Sequence, residues 1–402
     1  MPDTTTCAIV GGGPAGMVLG LLLARAGVTV TLLEKHADFL RDFRGDTVHP
    51  STLRLLDELG LWERFASLPQ SRVEQAALPV GDESLTVVDF RRLRVPHPFI
   101  AMVPQWDLLN LLAEAAAAEP TFTLRLRHEV LGPVYDGGRV AGVRYRAPDG
   151  DGELRADLTI ACDGRWSLLR RQAGLPVREW PVPFDVWWFR LPRDVEAQYS
   201  LIPRIAPGRV LIMIPREGYF QIAYLIPKGS DAELRARGLQ AFRDEVCSLA
   251  PEADVTQLTS WDDVKFLDVK LNRLKRWYAP GLLCLGDAAH AMSPVGGVGI
   301  NLAVQDAVAA ATLLAEPLRR GVVTERDLAG VQRRRMPAAV LTQAGQRVLH
   351  RRVMAPVLRG RSADPPAVLV TLLRRLPWLA AVPAYLVGVG VRPEHAPDFA
   401  RR

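Results

Sequence analysis

The first 36 residues follow a pattern of apolar and polar positions that is typical of a strand–turn–helix–strand unit. A short apolar run, Cys7–Val10, predicts a buried parallel strand, and the glycine-rich sequence GGGPAG follows it. The apolar stretch Met17–Ala26 predicts a helix. Val28–Leu33 is rich in β-branched residues and predicts a second strand, which ends at Glu34.

Three glycines in this unit, Gly11, Gly13 and Gly16, have the spacing G-x-G-x-x-G. The first permits a tight turn, the second lets the backbone approach a pyrophosphate, and the third lets the helix meet the strand. Glu34 lies close to the position at which an acid accepts a hydrogen bond from a ribose hydroxyl. The unit therefore predicts a dinucleotide ligand, and both NAD and FAD satisfy the pattern.

The next part of the chain predicts two helices and a group of strands. A polar loop leads to a helix after Pro50 that Ser51 or Thr52 would cap, and a second helix begins near Gln105. Residues 73–103 predict one or two strands that leave the nucleotide domain. Residues 122–164 predict an antiparallel meander with Asp-Gly hairpin turns, and it ends in a buried strand, Leu158–Cys162.

The pattern changes beyond residue 181. The runs FDVWWFRLP, RVLIMIP and YFQIAYLIP predict a sheet with aromatic side chains on at least one face, and residues 231–251 predict one amphipathic helix. Helical patterns then continue to the end of the chain. The apolar stretch Ala367–His395 is interrupted by arginines and prolines, so we expect a helix pair packed on the body, in preference to a surface that touches lipid or a partner subunit.

Composition narrows the class of protein. The 402 residues are 49% hydrophobic and carry a formal charge of +6, which suits anionic small molecules and gives little support to nucleic-acid binding. The four cysteines are far apart without metal-ligand spacing, so we expect buried thiols and no metal site. No stretch has the ~20 uninterrupted apolar residues of a membrane span. We expect a cytoplasmic protein.

Two further motifs carry chemistry. The sequence DGRWSLLR places Asp163, Ser167 and Arg170 in a turn that opens a helix, where the first two residues could also be simple helix caps. The sequence LGDAAHAMSPVGGVGINLAVQDA is a glycine-rich turn before a helix, yet its first polar side chain is that of Asp287. An acid fits poorly against a phosphate and well against a sugar-alcohol hydroxyl, from which it accepts a charge-assisted hydrogen bond.

Taken together, the three motifs resemble those of the class A flavoprotein monooxygenases, the para-hydroxybenzoate hydroxylase family. The resemblance covers about Cys7 to Ala310 and rests on the order and spacing of the motifs. It implies an α/β fold: a Rossmann-type FAD-binding domain with an inserted mixed or antiparallel β-sheet substrate domain and a helical C-terminal region. The implied limits are 1–72, 104–180 and 276–340 for the FAD-binding domain, 73–103 and 181–275 for the substrate domain, and 341–402 for the C-terminal region.

The resemblance also implies roles for individual residues. Glu34 would bind the adenosine ribose, the backbone at Pro14 and Ala15 the pyrophosphate, and Asp287 the ribityl chain. Pro294, Asp163 and Arg44 are the residues expected closest to the chemistry: Pro294 over the flavin's reactive face, Asp163 in nicotinamide handling and Arg44 beside the FAD phosphates. The remaining residues expected to bind the cofactor are Gly11, Gly13, Gly16, Lys35, Gln105, Val130, Gly297, Gly299, Ile300 and Asn301.

The implied activity is hydroxylation or epoxidation of an aromatic or polyketide-like molecule by FAD, O₂ and transiently bound NADH or NADPH, through a flavin C4a-hydroperoxide. The residues do not identify a catalytic base, and His290 and His49 are candidates only by position. A flavin-dependent halogenase would need a Trp-x-Trp-x-Ile-Pro motif, which this sequence lacks. A reductase of isoprenoid or lipid double bonds and a non-catalytic FAD-binding protein stay open, as do peripheral membrane contact and a monomeric or homodimeric state.

Overall fold

The computed structural model describes residues 3–40, 47–80, 83–192, 202–216, 218–361 and 367–402. Its strands are β1 Asp3–Val10, β2 Val30–Leu33, β3 Thr47–Val48, β4 Ser71–Val73, β5 Gln75–Val80, β6 Glu83–Asp89, β7 Ile100–Met102, β8 Phe122–Arg125, β9 Glu129–Asp136, β10 Arg139–Ala147, β11 Gly150–Ala161, β12 Val177–Trp180, β13 Phe184–Pro192, β14 Ile202–Ala206, β15 Arg209–Pro215, β16 Tyr219–Pro227, β17 Lys265–Leu267, β18 Leu271–Leu274, β19 Tyr278–Ala279 and β20 Leu282–Cys284. Its α-helices are α1 Pro14–Arg25, α2 Pro50–Glu58, α3 Trp62–Ala66, α4 Gln105–Ala117, α5 Leu168–Gln172, α6 Asp231–Ala236, α7 Leu239–Leu249, α8 Val298–Arg319, α9 Glu325–Leu349, α10 Ala355–Leu358, α11 Ala367–Arg375 and α12 Ala381–Gly388.

The larger sheet is built on parallel strands in the order β20–β11–β1–β2–β8. The central strands β1 and β2 are buried on both faces, which explains their continuous apolar runs. Helix α1 connects β1 to β2, and its buried side packs against α8. The predicted strand–turn–helix–strand unit is confirmed.

The long strand β11 changes partner along its length. Its first half pairs with β10 in the antiparallel sense, and its second half, up to Ala161, runs parallel to β1. The predicted meander is therefore confirmed for β9 to β11. It is wrong for Phe122–Arg125, which forms β8 and runs parallel to β2 at the edge of the sheet. An edge strand is partly exposed, so its alternating pattern looks like that of an antiparallel strand.

Four segments that carry predicted site residues leave the carboxyl ends of neighbouring parallel strands. Gly11 follows β1, Glu34 follows β2, Asp163 follows β11 after one residue, and Asp287 follows β20 after two. Strands β2 and β11 lie on opposite sides of β1. In open parallel sheets, a crevice forms at this edge where successive connections turn to opposite sides.

The second sheet is antiparallel, with the order β14–β15–β16–β13–β17. Its strands β13, β15 and β16 coincide with the three strand-like runs predicted from the sequence. One face, with Trp187 and Tyr224, is covered by α7 through Phe242. The other face carries Trp188 and Ile212 and faces the rest of the molecule.

The amphipathic segment after β16 forms two helices where the sequence predicted one. Gly238, with φ of +91°, separates α6 from α7. A left-handed residue ends one helix and redirects the chain, and glycine adopts that conformation without strain.

Three small sheets, β3–β7–β4, β5–β6 and β12–β18, lie apart from the two larger sheets. The first of them contacts the five-stranded antiparallel sheet, because Ser71 Oγ donates a hydrogen bond to the carbonyl of Pro215, at the end of β15, at 2.7 Å. The predicted domain limits stay a prediction.

Long helices complete the structure. Among the described residues, the segment Val295–Arg319, which includes α8, is long and apolar enough to cross a membrane, but most of its apolar stretch is buried against its neighbours. Its contacts with α1 and α9 are those of a core helix.

The apolar C-terminal stretch forms α11 and α12, joined by a 3₁₀ turn at Pro377–Ala380. Helix α12 packs on β6 and on the turn Phe90–Arg92, so the predicted helix pair does lie on the body. The outer surface of this helix pair is also apolar, because Val368, Trp378 and Leu386 are exposed.

Candidate functional site

The turn between β1 and α1 is shaped by contacts that leave no room for side chains. A Cβ atom on Gly11, whose φ is +105°, would lie 2.4 Å from the carbonyl oxygen of Cys162, and one on Gly16 would lie 2.1 Å from that of Gly11. A Cβ atom on Gly13 would meet no atom of the described residues within 4 Å. Gly11 and Gly16 are therefore required by the fold, whereas Gly13 borders open space.

Glu34 lies under the same turn and is buried. Its Oε2 accepts a hydrogen bond from the Gly12 N–H at 2.9 Å, and its Oε1 accepts one from the His36 N–H at 3.0 Å. Its Oε1 is also 2.6 Å from His36 Nδ1, so the carboxylate braces the turn, and its contact with a ribose hydroxyl stays a prediction. Lys35 beside it is exposed.

Backbone pairing joins the segment after β2 to the segment before β9. The Glu34 carbonyl accepts from the His128 N–H at 2.9 Å, and the His36 carbonyl accepts from the Arg127 N–H at 2.9 Å. This pairing brings Val130, near the start of β9, towards the segment that contains Glu34.

Asp163 follows β11 and caps a helix start. Its Oδ2 accepts from the backbone N–H groups of Leu168 and Leu169 at 2.8 and 3.3 Å. Its Oδ1 is buried and has no hydrogen-bond partner within the described residues. Burial raises the pKa of this carboxyl, although its hydrogen bonds oppose the shift. The site therefore contains a buried acceptor oriented by the helix and able to bind a donor from a ligand.

The second motif is tied to the third by Arg170, which is buried. Its guanidinium donates to the carbonyl of Ala288 at 3.1 Å and to that of Arg165 at 2.7 Å. Ser167 caps α5 by accepting from the Arg170 N–H at 3.1 Å, as the sequence allowed.

Asp287 lies in a 3₁₀ turn, Gly286–Ala288, that packs between two helices. Gly286 has φ of +57°, and a Cβ atom there would lie 3.0 Å from the Cβ of Ala303 on α8 and 3.5 Å from that of Ala15 on α1. The Asp287 carboxylate is partly exposed, and its Oδ2 is 3.5 Å from Arg165 Nη2. No local pattern in the sequence points to Arg165, because its partner Asp287 lies 122 residues further along the chain.

The turn before α8 forms the opposite end of the site. Gly297, with φ of +64°, caps this helix, and no side chain occupies the cap. Gly299, Ile300 and Asn301 lie in the first turn of this helix, and a helix start carries backbone N–H groups without intrahelical partners and the positive end of the helix dipole. Pro294 precedes this turn and is half-buried.

His49 fixes this turn and is fully buried. Its Nε2 lies 3.1 Å from the carbonyl oxygen of Gly297, to which Thr47 Oγ1 also donates at 3.2 Å. Burial lowers the pKa of His49 to about 4. The neutral ring donates to a carbonyl, so the structure gives this candidate base a positioning role.

The hydroxyl groups predicted to cap α2 have a different partner. Helix α2 begins after His49, without a side-chain cap. Ser51 Oγ and Thr52 Oγ1 instead donate to Asn301 Oδ1 at 2.6 and 3.0 Å. The capping prediction is wrong because the buried Asn301 Oδ1 on α8 accepts from both hydroxyls. The two hydrogen bonds hold Asn301 in place.

His290, the other candidate base, belongs to a buried charge network. Its Nε2 is 2.6 Å from Asp306 Oδ2, and Asp306 Oδ1 accepts from Arg335 Nε at 3.1 Å. Arg335 also contacts Glu394 at 3.3 Å. Although burial opposes it, His290 and Arg335 lower the pKa of Asp306 below its ordinary value. His290 therefore pairs with Asp306 in the core beneath the Asp287 turn, and the structure assigns it a structural role.

An apolar wall on the second sheet packs against the same core cluster as Val295, the residue that follows Pro294. Trp188, Ala223 and Ile212 are paired across β13, β16 and β15 and so share one face of the sheet. Trp188 and Ile212 cluster with Val387 of α12 and, through the neighbouring core cluster, with Val295. Trp187, the next residue along β13, is buried on the other face against Phe242.

Gln105 and Arg44 were also predicted to bind the cofactor. Gln105 is the first residue of α4 and is half-buried. Arg44 lies outside the described residues.

These features fit FAD. The open space beyond Gly13 admits a pyrophosphate against backbone, the buried Asp163 Oδ1 is an acceptor that lacks a protein donor among the described residues, and the uncapped start of α8 suits a negatively charged ring system. Together they form one continuous edge of the parallel sheet, from Glu34 to α8.

Comparisons with known proteins agree. The pattern of the FAD binding domain family matches residues 3–344. The 6-methylpretetramide 4-monooxygenase of Streptomyces rimosus is 35% identical over 374 residues, which are 92% of this chain and 89% of that protein. The solved structure of the anhydrotetracycline hydroxylase OxyS from Streptomyces rimosus has a TM-score of 0.77 and is 22% identical in sequence. The match covers 96% of this chain and 76% of the OxyS chain. The solved structure of PqsL, a probable FAD-dependent monooxygenase from Pseudomonas aeruginosa, has a TM-score of 0.74 and is 23% identical in sequence. The match covers 87% of this chain and 96% of the PqsL chain.

The match to the family covers most of the chain, and these relatives are named as oxygenases, which removes the reductase and the non-catalytic protein as interpretations. The α/β fold, with its parallel sheet, antiparallel sheet and helical C-terminal region, agrees with the solved neighbours. The chain belongs to the FAD binding domain family, within the class A flavoprotein monooxygenases, and is an FAD-dependent monooxygenase that uses NAD(P)H.

Proposed function

We propose that this monooxygenase hydroxylates a planar, polycyclic aromatic molecule of the polyketide type. The observation that carries the proposal is the apolar wall of Trp188, Ala223 and Ile212, which shares a core cluster with Val295 beside Pro294. Ala223 is small and lies between two large side chains, so the wall has a shallow recess with an aromatic edge. Such a surface suits a flat ring system, and flat rings stack on tryptophan. The relative named 6-methylpretetramide 4-monooxygenase supports this substrate class.

A buried cation lies at one end of the same sheet face. Gln221 is two residues from Ala223 and therefore shares its face. Its Oε1 accepts from Arg216 Nε and Nη2 at 3.2 and 2.9 Å, and both side chains are buried. A buried guanidinium favours the ionised form of a nearby phenol. We expect Arg216 to favour the phenolate form of a substrate hydroxyl, which would make a histidine base unnecessary.

The chain's own contribution is binding, orientation and exclusion of water. When bound, FAD accepts a hydride from NAD(P)H and delivers one oxygen atom of O₂ to an electron-rich carbon. The start of α8 stabilises negative charge at the ring end of the site, and the Asp287 turn positions the ribityl chain. The apolar wall keeps the substrate carbon dry and directed at the Pro294 turn.

The experiment is turnover of the purified holoenzyme with NADH or NADPH under ¹⁸O₂, across a panel of monocyclic phenols and polycyclic aromatic polyketides. We expect one ¹⁸O atom in the product of a polycyclic substrate and faster NAD(P)H oxidation in its presence. Incorporation only into single-ring phenols, or NAD(P)H oxidation that does not depend on O₂, would overturn the proposal.

Two tryptophan variants locate the binding surface. Trp188→Ala should raise the KM for the polycyclic substrate by about tenfold or more, since stacking on an aromatic ring contributes about 0.5–1.5 kcal/mol beyond its buried area. Trp378→Ala is the control, because this tryptophan is exposed on the outer side of the C-terminal helices. Equal KM values for the two variants would place the substrate elsewhere.

A further inference from the structure

Helix α9 has a buried face that changes character along its length. Near its start the buried side chains are apolar, as for Leu328 and Val331. Further along, the buried positions carry Arg335, Gln343 and Gln346, and His350 continues the face into a π-helical turn. We call Gln343, Gln346 and His350 the polar face of α9; their spacing of three and four residues places them on one side of the helix.

Buried amides and imidazoles destabilise a core unless they are hydrogen-bonded. Gln346 clamps the residues on both sides of Pro294: its Oε1 accepts from the Ser293 N–H at 3.1 Å, and its Nε2 donates to the carbonyls of Ser293 and Val295 at 2.9 and 3.0 Å. His350 Nε2 lies 2.9 Å from Ser293 Oγ. Three bonds from one side chain thus fix the backbone on either side of a single residue.

Gln343 extends this grip upstream. Its Nε2 donates to the carbonyls of Asn272 and Ala291 at 2.8 and 3.3 Å. Its Oε1 accepts from Arg273 at 2.8 Å, which orients the amide. The segment Ala291–Val295 is therefore held by side chains from a helix that lies about 50 residues further along the chain.

We propose that the polar face of α9 consists of positioning residues that set the position of Pro294 against the flavin and so determine how much NAD(P)H oxidation leads to substrate hydroxylation. This inference rests on the proposed function in one respect, that the Pro294 turn borders the site of oxygen transfer. Burial lowers the pKa of His350 to about 4, so the face holds Ser293 without placing a positive charge beside the site. A turn that shifts by a fraction of an ångström misaligns the substrate carbon, and small misplacements cost large factors in rate.

The same helix supplies a matched control. Gln332 accepts from the Trp277 N–H at 3.0 Å through Oε1 and donates to the carbonyl of Lys275 at 3.0 Å through Nε2. It is therefore another backbone clamp of α9, and its segment lies outside the residues we assign to the site. Gln346→Met and Gln332→Met each remove a clamp and keep the side chain unbranched and of similar length.

The first measurement is hydrogen exchange of the peptide that contains Ala291–Gly297, in the apoprotein and in the holoenzyme. We expect Gln346→Met to accelerate exchange of the Ser293 amide by about tenfold or more, because that N–H loses its acceptor. Gln332→Met should leave this peptide unchanged. This readout does not depend on substrate or turnover, so it stands even if the proposed substrate class is wrong.

The second measurement is the midpoint potential of the bound flavin and the ratio of hydroxylated product to NAD(P)H consumed. We expect Gln346→Met to shift the potential and lower the ratio at least twofold, with Gln332→Met at the wild-type values. Gln346→Glu keeps the acceptor for Ser293 and should restore part of the protection from exchange.

Some outcomes would overturn the inference. Equal exchange and equal coupling ratios in Gln346→Met and Gln332→Met would show that the clamp has no special relation to the site. If Gln346→Met does not fold, Ser293→Ala removes the contact with His350 together with the 3.4 Å contact from the Val295 N–H. An unchanged potential and coupling ratio in that variant would count against the proposal in the same way.

Discussion

The two glycine-rich turns at the carboxyl edge of the parallel sheet hold their shape by different means. The turn after β1 is fixed by its own backbone: a Cβ atom on Gly11 would collide with Cys162, and one on Gly16 would collide with Gly11. The turn before α8 is fixed from outside. The carbonyl of Gly297 accepts from Thr47 and His49, and Gln346 grips the backbone beside Pro294.

This difference teaches how each turn tolerates change. At Gly11 and Gly16 of the first turn a single added methyl group would collide with the backbone, so a substitution at either position should disrupt the turn completely. In the second turn the geometry is shared among side chains from α2, α9 and the segment before α2, so each substitution removes only part of the support. The first turn, predicted to bind the phosphates, is rigid. The geometry of the second turn, predicted to bind the flavin ring, can be changed in small steps by substitutions.

The largest effect should come from the first turn. Gly16→Ala should abolish FAD binding, because its Cβ atom would lie 2.1 Å from the backbone oxygen of Gly11 and force the helix away from the turn. The measurement is the FAD content of the purified protein from its visible absorbance.

Gly13→Ala sharpens this result. Its Cβ atom meets no atom of the described part of the chain within 4 Å, so the apoprotein should melt as the wild type does. FAD affinity should fall, because the methyl group enters the space assigned to the pyrophosphate. A Gly13→Ala protein with wild-type FAD affinity would contradict the placement of the phosphates.

The next effect concerns the network under the second turn. Arg335→Met should lower the free energy of unfolding by about 3–5 kcal/mol, because it leaves Asp306 and Glu394 buried with less compensation. Denaturant titration measures the change. Arg334→Met is the control: Arg334 also contacts Glu394 but is 41% exposed, so a loss of about 1 kcal/mol or less is expected. Equal losses in both variants would show that burial of the network does not matter.

A smaller effect depends on pH. The pKa of His49 is lowered from 6.5 to about 4, so the unfolded chain binds a proton in this interval that the folded protein does not bind. The contribution of His49 to the free energy of unfolding should therefore be fully present above pH 6.5. It should decrease by at most about 3 kcal/mol as the pH falls towards 4. Titration of His350 adds to the slope in the same interval.

His49→Gln keeps a donor for the Gly297 carbonyl and removes the titration, so it should flatten the profile between pH 6.5 and 4. Thr47→Val removes the other donor and has no titratable group, so it should lower stability equally at each pH. A His49→Gln profile as steep as that of the wild type would show that His49 is not buried in its neutral form.

The contrast between the turns also explains what the sequence could predict. The first turn and the strands β13, β15 and β16 depend on local order: glycine spacing, apolar runs and alternation. These signals are complete within a few residues of one another, so the pattern suffices. The three motifs likewise predicted which strand ends form the site, because residues at the carboxyl ends of parallel strands meet at one edge.

The second turn could not be predicted in the same way, because its supports come from distant parts of the chain. The hydroxyls of Ser51 and Thr52 match a helix-cap pattern, yet Asn301, about 250 residues away, takes both of them. The polar face of α9 looks like part of a solvated helix until its neighbours are known. The one available signal is the recurrence of Gln343, Gln346 and His350 at helical spacing.

The central claim is that FAD lies along the edge of the sheet with its phosphates at the first turn and its ribityl chain at Asp287. Equilibrium titration of the Asp287→Ala apoprotein with FAD, followed by flavin fluorescence, tests it most directly. We predict a dissociation constant raised by about tenfold or more, because a carboxylate hydrogen bond to a hydroxyl contributes about 1.5–3 kcal/mol. Glu34→Ala, at the ribose, should cause a loss of similar size. Wild-type affinity in Asp287→Ala beside a large loss in Glu34→Ala would contradict the account.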